Sequence, residues 1–265
     1  PAPVPPRRLA AGGRPRLRPE RSLLLVVGAV DPAAVTREAT RLFGSWKGAG
    51  EAPPPLREAA PAEGTDRFEV LDRPGSVQTT FLVGGLAPLR SGGDASALEL
   101  AMTIYGGAFT SRLVQNLREE KGYTYSPGAG VRWLAARGTV QSRAAVRNDV
   151  TGAALGEIFH EMTRMGTTEP TDEEMERARR VFVGLKAIAL QTGPGLADEL
   201  AGLWILGLPP AEIGATSARL AAVTKADVRR VSRKYLAVPR ARVVAVGEAA
   251  GIREELAPLA SGSER

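Results

Sequence analysis

Residues 105–126 read Tyr-Gly-Gly-Ala-Phe-Thr-Ser-Arg-Leu-Val-Gln-Asn-Leu-Arg-Glu-Glu-Lys-Gly-Tyr-Thr-Tyr-Ser, and no other run constrains the fold as tightly. Gly106 and Gly107 interrupt whatever precedes them. Leu113, Val114 and Leu117 then recur at helical spacing, which predicts a helix over Thr110–Lys121. Lys121 suits the negative helix end and Gly122 can take the left-handed cap. Tyr123, Thr124 and Tyr125 alternate as a strand would, putting both tyrosines on one face. Arg118 lies at the edge of the apolar stripe, so Arg118 and Tyr125 can meet across a helix-to-strand corner. A guanidinium and a phenol are both hydrogen-bond donors. Two convergent donors suit the carbonyls of an extended peptide or a developing oxyanion. The plainer reading is a capped helix with a solvated charged face and two partly buried tyrosines.

The rest of the chain supplies a frame for that corner. Residues 1–20 are rich in Pro and Arg and read as an extended arm. Ser22–Val27 is a continuous apolar run of buried-strand length. Asp31-Pro32 then starts a helix with Val35, Ala39, Leu42 and Phe43 on one face, ended by Gly44. Residues 48–66 have a linker's composition. Beyond them, Phe68–Leu71 and Val77–Val83 read as strands, the second with Val77, Thr79, Phe81 and Val83 on one face. Asp94–Tyr105 reads as a helix, and Tyr123–Leu134 with Thr139–Val146 as a hairpin turning near Arg137-Gly138. Thr171 and Glu174 form a capping box for a long helix with an apolar stripe at Met175, Ala178, Phe182, Leu185 and Ala189. Helices follow near 195–207, 210–221 and 225–236, the last capped by Thr224. Strand Arg242–Val246, Gly247 and a helix near 251–258 close the chain. That ending repeats the strand–Gly–helix order of 22–43, with Gly28 and Gly247 lying 219 residues apart. The spacing suggests the tail of one repeat followed by a complete one, unless a common βα unit simply occurs twice.

Composition removes several classes of function. With no cysteine there is no disulfide framework, thiolate zinc site or cysteine nucleophile. No apolar run approaches the roughly 18 residues of a membrane span. The start lacks a signal-peptide pattern, but it is Pro1 rather than Met, so cytoplasmic and periplasmic or extracellular placement both stay open. Net charge is +6, yet the basic residues are dispersed among acids without an aromatic stacking platform. They read as solvated helix faces, and nucleic-acid binding is not expected. A zinc peptidase motif needs two histidines one helical turn apart with a carboxylate beside them. His160 is the only histidine. It sits between Glu157 and Glu161 on the polar side of a helix whose buried stripe is Leu155, Ile158, Phe159 and Met162. It reads as a surface residue, with ligation by His160 and the two glutamates the alternative. No serine-nucleophile elbow or Walker A loop occurs. Gly128-Ala-Gly130 lies inside a strand pattern, so it is no dinucleotide fingerprint. Gly106-Gly107 reads as a sharp turn between helices, or as an anion site at backbone amides.

The pattern Gly106-Gly-x-Phe-x-Ser-Arg-Leu-x-x-x-Leu-Arg-Glu-Glu-Lys-Gly-x-x-Tyr-Ser126 resembles the second, non-catalytic repeat of the pitrilysin/insulinase zinc metallopeptidases. That group includes insulin-degrading enzyme, mitochondrial processing peptidase and bacterial two-subunit peptidases. The resemblance runs from about residue 67 to 247 and includes 171–190 and Ala226-Asp-Val-Arg-Arg-Val-Ser-Arg-Lys-Tyr235. Residues 22–46, ending Leu-Phe-Gly-Ser-Trp, resemble the last strand and helix of a preceding repeat. The resemblance implies an α+β roll, a mostly antiparallel sheet with helices packed on one face. It divides the chain into a repeat tail with its arm (1–47), a linker (48–66) and a complete non-catalytic repeat (67–265). It implies that Arg118 and Tyr125, seven residues apart, contact substrate, and that no catalytic or metal-binding residue lies on this chain. Zinc would come from a partner, either a separate catalytic subunit in a heterodimer or an N-terminal half upstream of Pro1. The lone chain could also pair with itself through its orphaned face. The rival reading is a degenerate scaffold subunit without a proteolytic role.

Overall fold

The computed structural model describes residues 17–48, 51, 54 and 67–261. Five strands form one sheet: β1 (Phe68–Asp72), β2 (Gln78–Ala87), β3 (Gly128–Arg132), β4 (Gly138–Arg147) and β5 (Arg242–Gly247). Their order is β1-β5-β2-β4-β3, with β1 and β5 parallel and the other pairs antiparallel. Side chains alternate across a strand, so a strand with one dry face must repeat apolar residues every second position. β2 does so with Thr79, Phe81, Val83 and Ala87, β4 with Val140, Ser142, Ala144 and Val146, and β5 with Val243 and Ala245, all buried. Val77 precedes β2 and is exposed, because pairing with β4 starts only at Gln78.

The described α-helices are α1 (Pro32–Phe43), α2 (Ala95–Met102), α3 (Thr151–Thr167), α4 (Asp172–Leu190), α5 (Gly193–Ile205), α6 (Glu212–Ala222), α7 (Lys225–Tyr235) and α8 (Ala249–Ser261), of which α2, α3, α7 and α8 lie directly on that dry face. Leu155, Ile158, Phe159 and Met162 of α3 face the sheet, as do Val228 and Val231 of α7 and Ile252 and Leu256 of α8. Two capping boxes start α4 and α7: Thr171 with Glu174, and Thr224 with Asp227. Both satisfy amides that a helix start leaves without partners. This is the α+β arrangement with helices on one side of a mostly antiparallel sheet.

Several elements differ from the sequence expectation. On α4, Met175 and Ala178 are buried, but Leu185 is 61% exposed and Ala189 is exposed. A helix of 19 residues is roughly 28 Å long; Phe182 and Val183 still pack on the core, and the residues beyond them outrun it, with α5 alongside through Lys186 and Glu199. Ser22–Val27 forms no strand, since no described strand offers it hydrogen bonds. Asp31 does cap α1, accepting from the Ala33 amide at 2.9 Å, yet α1 buries none of its residues. The arm at 1–16 and most of the linker at 48–66 lie outside the described residues.

Candidate functional site

The corner is built on a segment that winds wider than an α-helix. Arg112 and Leu113 are α-helical, and Val114–Glu120 is π-helical. π-Helical turns are rare, and they recur at functional positions. Three anchors hold this one. Leu113 and Leu117 enter the core. Arg112, with a side chain only 6% exposed, donates from Nε to Glu174 Oε1 at 2.7 Å and from Nη2 to Oε2 at 2.9 Å. Asn116 Nδ2 donates to Glu157 at 2.9 Å and to Glu161 at 3.1 Å, both on α3. Burial alone would raise the Glu174 carboxyl, but the Arg112 fork outweighs it and holds the group below the usual range. The Asn116 amide, against the opposing effect of burial, lowers Glu157 likewise. The segment ends at Gly122, whose φ of 63° is left-handed, with the Tyr123 amide donating back to Leu117 at 2.8 Å.

Arg118 and Tyr125 meet, though not through convergent donors on a helix and a strand. The Arg118 guanidinium carbon lies 4.4 Å from the Tyr125 ring centroid and 4.7 Å from that of Phe109. Cation–ring attraction places a guanidinium without using its N–H groups. Those donors stay available, with Glu119 Oε1 at 3.1 Å from Nε as the local competitor. The expected strand at Tyr123 begins only at Gly128. Pro127 lacks an amide hydrogen and disfavours regular pairing just before it, so 122–127 run as an irregular link. Tyr123 and Tyr125 therefore do not share a strand face. Tyr125 is 77% exposed and Phe109 65% exposed, two rings standing in solvent around one cation. Sequence reasoning misses Phe109; its available signal is an aromatic placed between a glycine pair and a helix start.

The other candidates resolve by geometry. Gly106 is not at a helix start but in a π-helical turn, Thr103–Gly107, which packs against β3. A Cβ on Gly106 would come within 2.5 Å of Ala129 Cβ and 2.7 Å of Ala129 N, so the residue serves close packing. His160 is exposed, whereas Glu161 is buried and takes up Asn116 and Arg164, the latter at 3.2 Å. Both glutamates are thus engaged elsewhere, Glu157 by Asn116 and Lys121 and Glu161 by Asn116 and Arg164. Among the described residues no group of three or more His, Cys, Asp or Glu could hold a metal ion. Zinc does not fit the described residues. No helix among the described residues is long and apolar enough to cross a membrane.

Known proteins with similar sequence or shape agree with this architecture. An uncharacterized zinc protease of Streptomyces coelicolor is 25% identical over 224 residues, covering 82% of this chain and 48% of that protein. The crystal structure of a peptidase M16 inactive domain from Pseudomonas fluorescens matches with a TM-score of 0.73 at 22% identity, over 83% of this chain and 52% of that one. A protease from Helicobacter pylori matches with a TM-score of 0.83 at 17% identity, over 92% and 59%. At these identities the two crystal structures speak to the fold alone. The chain spans about half the length of these relatives. Residues 16–182 match the family model of the peptidase M16 inactive domain, and on that match, over more than half of its length, the chain belongs to this family, the pitrilysin-like non-catalytic domain.

Proposed function

We propose that this chain is the non-catalytic half of a pitrilysin-like zinc peptidase, enclosing an extended peptide and contacting its backbone through Arg118 and Tyr125. One observation carries the reading: a guanidinium held against two exposed rings, with its N–H edge still able to donate. Folding does not account for that arrangement, because neither ring is buried. A peptide carbonyl arriving at the corner would accept from the Arg118 fork, and the Tyr125 hydroxyl would donate to a neighbouring acceptor. Zinc, with the acid–base groups of hydrolysis, would belong to the other half, a separate subunit or the upstream part of a longer chain.

Residues 22–47 fit the end of a preceding repeat. They carry a groove of about 670 Å³ whose lining includes Leu24, Val26, Val35 and Phe43. This apolar side has no cover within the described chain, and the remainder of such a repeat would bury it.

Co-expression with a partner carrying the inverted zinc motif, followed by a peptide-cleavage assay, tests the proposal. Arg118→Ala and Tyr125→Phe should each cut turnover about 10²-fold while the complex still assembles on gel filtration. Full activity in both variants would leave the scaffold reading in its place.

A further inference from the structure

A pocket of about 240 Å³ opens between α2, α4 and β3 on the helix side of the sheet. Its lining includes Glu99, Met102 and Thr103, which are buried, and Val131, Trp133 and Phe182, which are half-buried. Walls of this kind suit an apolar group, and Glu99 is the exception among them, a carboxylate only 9% exposed. Its Oε1 accepts from Trp133 Nε1 at 3.0 Å and lies 3.3 Å from Arg90 Nε. Its Oε2 is closed to solvent and has no hydrogen-bond partner among the described residues. Lys186, the other cation that acts on this carboxylate, is held by Glu199 at 2.6 Å. Buried polar atoms in folded proteins nearly always have a partner, so an orphaned carboxylate oxygen in a pocket wall calls for an incoming donor.

We infer that this pocket takes the side chain of a tyrosine in the bound peptide, with the ring among the apolar walls and the hydroxyl donating to Glu99. The inference rests on the peptide-binding reading above and adds a side-chain preference to it. A phenol joins an apolar ring to a single donor, which is what the walls and the spare oxygen ask for. An ammonium fits less well, because Arg90 already offsets the charge of the carboxylate. Water alone would meet the oxygen but leave the apolar walls wet. The size suffices, since a cavity of roughly 150 Å³ holds benzene. The pocket also lies next to the corner. Gly107 is exposed, lines the pocket, and precedes by two residues Phe109, the ring that packs on Arg118. The Cα atoms of Gly107 and Phe109 are therefore at most about 7.6 Å apart. An extended peptide advances roughly 3.3 Å per residue, so a tyrosine in the pocket belongs within a few residues of a carbonyl held by Arg118.

Fluorescence anisotropy with the full chain tests it. The probes are labelled peptides of alanine and serine, about ten residues and roughly 33 Å long when extended, with tyrosine, phenylalanine or lysine at one central position. The tyrosine peptide should bind about tenfold more tightly than the phenylalanine peptide, which leaves the Glu99 oxygen unpaired, and the lysine peptide should be weaker than the tyrosine one. Arg90→Leu with Glu99→Leu, which removes both charges together, should abolish the preference for tyrosine while phenylalanine binding persists. If circular dichroism shows that this variant does not fold, the parent chain decides: an O-methyltyrosine peptide, whose ether cannot donate, should bind no better than the phenylalanine peptide. Free p-cresol, added as a competitor, separates a peptide side chain from a small phenol and should displace the tyrosine peptide only in large excess. Equal affinities for tyrosine and phenylalanine, no binding of the tyrosine peptide, tighter binding of the lysine peptide, or p-cresol as tight as the tyrosine peptide would each overturn the inference. The two readings fail separately. Arg118→Ala that weakens all peptides alike, without any preference for tyrosine, keeps the corner and removes the pocket. A tyrosine preference with no effect of Arg118→Ala keeps the pocket and removes the corner.

Discussion

Arg112 and Arg118 lie on one short segment and have opposite environments. Arg112 is buried and forms a two-bond fork with Glu174, the same glutamate that closes the capping box of α4. Arg118 lies against Phe109 and Tyr125 at the surface. Removing one partner of a buried, hydrogen-bonded pair strands the other, at a cost of about 3 kcal/mol. Losing the contact between the half-buried Arg118 and two exposed rings costs about 1 kcal/mol. Urea denaturation should therefore find Arg112→Ala strongly destabilised and Arg118→Ala close to the parent chain. Arg112→Lys should recover only part of the loss, since an ammonium cannot reproduce the fork. Equal losses for both alanine variants would make Arg118 a structural residue. The sequence shows the spacing that lets Arg118 and Tyr125 meet, but not which edge of each group meets the other. That depends on Phe109 and on the wide π-helical winding, neither of which a helical repeat reveals.

At the scale of elements, the Gly106-Gly107 pair lets a π-helical turn approach β3. A methyl group on Gly106 would meet both the side chain and the amide nitrogen of Ala129, and Leu113 Cδ1 at 3.0 Å. Overpacking of this kind typically costs 1–3 kcal/mol. Gly106→Ala should lower stability by about 2 kcal/mol in thermal denaturation, and adding Ala129→Gly should return part of it. Part only is expected, because the Ala129 amide nitrogen stays in the way. No loss in the single variant would mean that the two elements separate freely. Elements set by local chemistry are the legible ones. The capping boxes at Thr171 and Thr224 and the alternation of β2 and β4 follow from residues a few positions apart. Ser22–Val27 has a strand's composition but no described strand beside it, since pairing is a property of two segments. The stripe through Leu185 marks the apolar side of α4 without saying where its cover ends.

Across the whole molecule, the first and last strands lie side by side, so the C-terminal third packs back onto the rest. Register between distant strands also brings Arg132, Arg143 and Arg242 to one face of the sheet, though they are far apart in the sequence. Asp94 ties the two ends of this arrangement together. At the start of α2, with a side chain 17% exposed, it accepts from Arg230 at 2.6 Å, Lys234 at 3.0 Å and the Tyr235 hydroxyl at 2.8 Å, all on α7. Burial pushes its carboxyl up, but the three donors outweigh that and hold it at about 2, below the ordinary 3.8. A carboxylate depressed in the folded state stabilises fully above its unfolded pKa, and the gain disappears as pH falls through the folded one. A depression of this size corresponds to about 2 kcal/mol near neutral pH. Asp94→Asn should therefore be less stable than the parent chain by about that amount near neutral pH. The gap should hold down to about pH 4 and close as pH falls towards about 2, followed by chemical denaturation at each pH. A gap that stays constant across that range would mean that Asp94 acts through shape and hydrogen bonding rather than through its charge.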